Sequence, residues 1–120
     1  MTPPPDVSND TSFWDIIDQL VATSEIVIDR PKHSAHPRQP AIIYPLDYGY
    51  LAGTTAGDGQ GIDVWRGSAA GHGVTGVVAT VDAWKRDAEV KILLDCTADE
   101  IETIGAFLNI GAMGCIVIQR

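Results

Sequence analysis

Four aspartates fall into two pairs with a common spacing: Asp58 and Asp63 lie five residues apart, Asp82 and Asp87 lie five apart, and the second pair begins 24 residues after the first. Hard divalent cations such as magnesium take carboxylate oxygens as ligands and keep waters that substrate phosphates can displace. Ions held this way polarise a phosphoryl oxygen and bring the pKa of a bound water toward neutrality. Aspartates that converge would therefore do phosphoryl chemistry, whereas aspartates left apart are ordinary acidic turn residues. The stretch Gly57-Asp58-Gly59-Gln60-Gly61-Ile62-Asp63-Val64 has the glycines to fold tightly around a small ion, with Asp58 on the loop and Asp63 at the start of a strand. Asp82 and Asp87 flank the short connection 83–86 between two expected strands. If those strands pair beside the first, all four carboxylates meet.

A second set of candidates is basic. Residues 31–40 hold three prolines together with Lys32, His33, His36 and Arg38, a local reversal of charge in an acidic chain. Two readings stay open for this segment, a solvent-facing loop or a phosphate clamp. His33 and His36 have no further ligands at a spacing suited to zinc. Tyr44, Tyr48 and Tyr50 alternate at strand spacing, which usually packs a core, and Tyr48 is the one expected to face phosphate. Trp14, Trp65 and Trp84 are expected to pack, and Cys96 and Cys115 read as buried thiols beside apolar runs. Gly71-His72-Gly73 marks a hairpin turn without chemistry.

The elements that must position these residues come from the rest of the chain. With 120 residues there is room for one domain. Residues 1–11, with three consecutive prolines, read as a flexible tail, and 12–120 as a single domain. Eight Lys and Arg against sixteen Asp and Glu give a formal charge of -8, which repels nucleic-acid backbones and anionic membranes and argues against both as partners. The N-terminus lacks the pattern of a signal peptide and no apolar run approaches membrane-spanning length, so a cytoplasmic location is expected.

Ser12 and Asp15 have capping-box spacing, and Phe13, Ile16, Ile17, Leu20 and Val21 share a helical face, which predicts a helix of about three turns ending near Ser24. Strand patterns follow at 25–30, 41–44, 62–66, 75–81, 90–94 and 114–119. Thr97 and Glu100 cap a second helix that turns Ile101, Ile104, Phe107 and Leu108 inward. Strands and helices do not alternate strictly. The fold class is therefore α+β, a small antiparallel, OB-like β-barrel with an N-terminal and a C-terminal helix.

Tyr44-Pro45-Leu46-Asp47-Tyr48-Gly49-Tyr50, then Gly53-Thr54 and the loop at 58–64, resembles the signature stretch of family I inorganic pyrophosphatases. The resemblance spans residues 25–110 and is strongest over 44–64. It implies metal ligation by Asp58, Asp63, Asp82 and Asp87, with Mg2+ as cofactor and Mn2+ as a substitute. It further implies catalytic roles for Asp58, Asp63 and Tyr48, and substrate contacts from Arg38, Tyr48 and Asp29, the last standing where the family carries a glutamate before proline. The implied activity is hydrolysis of inorganic diphosphate, or a related phosphoanhydride, by metal-activated water. The family commonly forms oligomers, so a homo-oligomer is in keeping with the resemblance.

The chain also departs from the family pattern. Where the family places a proton-accepting aspartate followed by proline, it has Gln60 and Gly61. Glutamine cannot act as a base, and a positioned base contributes roughly 10²–10⁴ in rate, or about 3–5 kcal/mol. Only five residues separate Arg38 from Tyr44, too few for the family's arginine-bearing hairpin, and the family's late lysine is Glu89. The tyrosine-lysine pair of the C-terminal helix is absent near 107–110; Lys85, Arg86 and Lys91 are the cations left to compensate. These departures motivate the alternative of a catalytically degenerate metal- or phosphate-binding module.

Overall fold

The computed structural model describes residues 10–120. In chain order the elements are α1 (Asp10–Ala22), β1 (Ile26–Arg30), β2 (Asp47–Leu51), β3 (Ile62–Arg66), β4 (Val74–Asp82), β5 (Asp87–Leu94), α2 (Ala98–Phe107) and β6 (Met113–Gln119). The six strands form one sheet in the order β1-β2-β3-β5-β4-β6. Every neighbouring pair is antiparallel except β3 and β5, which run parallel. Two helices with a mostly antiparallel six-stranded sheet make an α+β fold consistent with a small OB-like barrel, the expected class. The parallel pair is the departure from that expectation: β5 enters beside β3 because the β4–β5 hairpin inserts as a unit.

Alternation along the strands sends successive side chains to opposite faces, and each face has its own helix. On one, Ile17 of α1 joins Leu51, Val64, Val77 and Ile92. On the other, Ile101, Ile104 and Leu108 cover Trp65, Val78 and Leu93. Ile104 is fully enclosed, and burial of such a side chain contributes about 1.5–3 kcal/mol.

Several local expectations are corrected. Helix α1 spans Asp10–Ala22, so Ser12 and Asp15 fall inside it rather than ahead of it. Most of the expected tail, residues 1–9, lies outside the described residues. No strand forms at 41–44; Pro40 and Pro45 bracket that stretch, which keeps one bridge, Ala35 to Ile43. The strand of this region is instead β2, which carries Tyr48 and Tyr50. Trp84 is 86% exposed at the β4–β5 turn and packs no core, whereas Trp65 is buried and Trp14 packs from α1 against the core. Cys96 is buried and Cys115 half-buried. Among the described residues no helix is long and apolar enough to cross a membrane.

The cap on α2 forms as its spacing dictates. The Glu100 N–H donates to Thr97 Oγ1 at 3.2 Å and the Thr97 N–H donates to Glu100 Oε1 at 2.9 Å. The Glu100 carboxylate also accepts the Ser68 N–H at 3.1 Å, tying the helix start to the loop after β3. Thr97→Ala should cost about 1 kcal/mol, a fall in Tm of roughly 4 °C. Calorimetric melting of the variant checks this, and an unchanged Tm would show that the cap carries no stability.

Candidate functional site

The chemistry-bearing residues gather at one end of the sheet face that α2 covers at its other end. In the hairpin register Asp82 stands opposite Asp87, Thr80 opposite Glu89 and Val78 opposite Lys91. In the neighbouring pair Tyr50 stands opposite Asp63 and Tyr48 opposite Trp65. Period-two alternation then sets Asp87, Glu89 and Lys91 on the same face as Asp63 and Tyr48. Within a few residues the face passes from an acidic floor to the apolar core.

At the join sits Lys91, whose side chain is 8% exposed. Its Nζ donates to Asp63 Oδ2 at 2.7 Å, to Glu89 Oε2 at 3.0 Å and to the Tyr48 hydroxyl at 3.0 Å. An ammonium has three protons, and here each has an oxygen to accept it. Desolvation works against the charged form of Lys91, but the interactions with Tyr48 and Asp63 outweigh it and hold the group above the ordinary lysine value. Burial pushes the Tyr48 hydroxyl up as well. The charge of Asp63 adds to that rise, and the two groups are joined through the Lys91 ammonium, which donates to both.

Asp58 approaches from the loop between β2 and β3. Gly59 at φ +83° allows the turn, and Asp58 Oδ1 accepts the Gln60 N–H at 2.9 Å. A β-carbon at Gly57 would lie 4.0 Å from the Ala88 carbonyl, so the loop lies against the start of β5. The exposed Asp58 carboxyl reaches the Glu89 carboxyl. The Gln60 N–H first, and the contact with Glu89 second, lower the Asp58 pKa; burial first raises that of Glu89. A chain of hydrogen bonds thus runs from Glu89 through Lys91 to Asp63 and Tyr48.

The second aspartate pair lies farther along the same face. Asp82 Oδ1 accepts the Trp84 and Lys85 N–H groups at 2.9 and 3.0 Å, so it caps the hairpin turn that Arg86 closes at φ 58°. The register sets Asp63 beside Lys91 and Asp82 opposite Asp87, the two being separated by the row of Thr80 and Glu89, while Asp58 lies on the loop before β3. Among the described residues no three Asp, Glu, His or Cys side chains gather closely enough to hold a metal ion. The donors are hard oxygens suited to magnesium, presented in ones and twos. Such an arrangement suits an ion that brings phosphate and water ligands with it, as magnesium commonly does, and does not suit an ion caged by protein alone.

A basic rim stands beside this floor. Desolvation, followed by the charges of Arg30, Lys85 and Arg38, holds His36 below the ordinary histidine value. The Arg38 N–H donates to His36 Nδ1 at 3.0 Å, and the Arg38 side chain is exposed. Asp29 is also exposed, at a register shift between Ile28 and Arg30 that sets Arg30 opposite Tyr48. Arg30 donates to the Tyr44 hydroxyl and lies over its ring. Sequence reasoning missed Arg30, because a bulge leaves no periodic trace. It treated Glu89 only as a departure, although the alternation Asp87, Glu89, Lys91 was readable as one face.

A cleft of about 840 Å³ opens on the α1 side, lined by Phe13, Ile16, Leu20, Val81 and Val90. Its lining is too apolar for a phosphate site, and the polar cluster carries the chemistry.

No protein-family model matches the chain, and no curated protein matches it. A solved structure described as an inorganic phosphatase from Anaplasma phagocytophilum is similar to it, with a TM-score of 0.55 and 18% identity over 78% of this chain and 81% of that one. At that identity the likeness is one of fold, and it supports a pyrophosphatase-like fold for this chain.

The basic loop is held down by Asp47, which accepts the Lys32 N–H at 2.9 Å and Arg66 Nη2 at 3.1 Å. The Lys32 hydrogen bond first, with Arg66 assisting, lowers the Asp47 pKa. A lowered folded-state pKa stabilises the protein above the unfolded aspartate value of about 3.9, and that contribution is lost as pH falls through the folded value. Asp47→Asn should therefore lower Tm at pH 7 and flatten the fall in Tm between about pH 5 and 3. Parallel melting curves for the variant and wild type across that window would exclude the linkage.

Proposed function

We propose that the protein hydrolyses a phosphoanhydride, with inorganic diphosphate as the first candidate, taken up as its magnesium or manganese complex. The observation that carries this reading is an acidic sheet face of Asp63, Asp82, Asp87 and Glu89, with Asp58 on the loop before β3, beside a rim of Arg30, His36 and Arg38 that Tyr44 and Tyr48 join to it. A metal diphosphate presents both signs of charge, and the two surfaces match them. The fold likeness to an inorganic phosphatase adds support.

The bound cation would neutralise phosphate oxygens and ease ionisation of a nearby water. The chain's own part is positioning. Asp58 and Asp63, with Asp82 and Asp87 beyond them, would hold the cation side of the complex, and Arg38 and Lys85 the phosphate side. Tyr48 would orient the substrate where the floor meets the core, and Asp29 lies at the outer edge. Charge-assisted contacts of this kind contribute about 1.5–3 kcal/mol each, so the set left here gives a weaker hold than a full clamp.

One observation favours a second reading, a phosphate- or metal-binding module without turnover. Gln60 is an amide where a base is needed, and Asp63 is already engaged by Lys91. A phosphate-release assay on diphosphate separates the two. The hydrolase reading predicts release that requires Mg2+ or Mn2+, is lost in Asp63→Ala and rises by roughly 10²–10⁴ in Gln60→Asp. No release from wild type or Gln60→Asp at high protein concentration, with binding of the metal complex retained, would establish the module.

A further inference from the structure

We propose that Lys91 is a built-in cation of the carboxylate site, occupying with its ammonium the position between Asp63 and Glu89 that a divalent ion would otherwise take, and so setting how strongly the site binds free metal. The proposal rests on the same cluster as the function proposed above. Its test uses metal alone, so failure of the hydrolase reading and failure of this one are separately visible.

The geometry carries the argument. Three oxygens from three strands, Asp63 on β3, Glu89 on β5 and Tyr48 on β2, converge on one point at 2.7 to 3.0 Å. That is the coordination of a cation by hard oxygen donors, met here by an amine on a tether. The tether is the β5 backbone itself. Lys91 stands two residues from Glu89 on the same face and opposite Val78, so its alkyl stem runs over core while its head reaches the acids.

Two carboxylates, those of Asp63 and Glu89, share a single ammonium. The site is thus partly neutralised before any ion arrives. A divalent ion must either displace Nζ from Asp63 and Glu89 or settle for oxygens that Lys91 does not use. The latter include Asp58, Asp82 and Asp87.

Replacing the ammonium by an uncharged group of similar length should convert the pocket into a metal site. Calorimetry with MnCl2 at pH 8, without phosphate, should give Lys91→Met an affinity at least roughly ten-fold tighter than wild type, because the new ion no longer competes with a tethered charge. Metal-free Lys91→Met should melt on the order of 10 °C lower, since two half-buried carboxylates remain unpaired. Saturating Mn2+ should restore most of that loss while moving wild type only slightly. Lys91→Gln, whose amide can still donate to Asp63 or Tyr48, is the second variant should Lys91→Met not fold, and the same gain in affinity is expected of it. Mn2+ binding within about two-fold of wild type in the folded variants, or undetectable binding in all proteins, would overturn the proposal.

Discussion

The ammonium of Lys91 is the interaction on which the arrangement of the site depends. It stands where a polar floor meets an apolar core, and its three protons reach oxygens on β2, β3 and β5. Removing one partner from a buried ion pair costs about 3–5 kcal/mol because the remaining charge is stranded. Asp63, Glu89 and Tyr48 are therefore held by a common centre and cannot relax independently. The same contact links core to chemistry, since Lys91 lies opposite Val78 while its head group meets the acids.

Tyr48 shows how the core sets the site. Its ring lies 5.4 Å from Tyr44 and 4.6 Å from Trp65, and Trp65 meets Phe107 of α2 edge-on at 5.6 Å. Aromatic contacts of this kind add about 0.5–1.5 kcal/mol each beyond burial. Together they leave the Tyr48 hydroxyl little freedom to move away from Lys91. A residue on the C-terminal helix thereby helps to aim a hydroxyl on β2, and the capping box that starts this helix belongs to the same support.

What the sequence made legible follows from how local each signal is. Thr97 and Glu100 need only one another to cap a helix, so α2 was readable from their spacing. The alternation along β4 and β5 was readable for the same reason, and with it the shared face of Asp82 and Asp87. The start of α1 was misplaced because Ser12 and Asp15 mimic a cap within the helix. The strand expected at 41–44 gave way to β2 because the prolines on either side permit only one bridge. Neither the parallel pairing of β3 with β5 nor the contact of Lys91 with Asp63 has a local signal: they join residues 28 apart, and nothing short of the fold brings them together.

The position of Arg30 in the basic rim depends on how β1 lies against β2. A side chain at Gly49 would run into the Val27 carbonyl, so only glycine lets β1 approach β2 this closely. Close approach at that point coincides with the register shift between Ile28 and Arg30, after which Arg30 faces Tyr48. Without the shift, alternation would exchange the faces of Asp29 and Arg30, putting a carboxylate toward the Tyr44 hydroxyl and removing the nearest cation from His36. The floor would then meet a carboxylate at this edge in place of a guanidinium. The glycine within the Tyr48-Gly49-Tyr50 run thus has an electrostatic consequence as well as a steric one, transmitted through strand register alone.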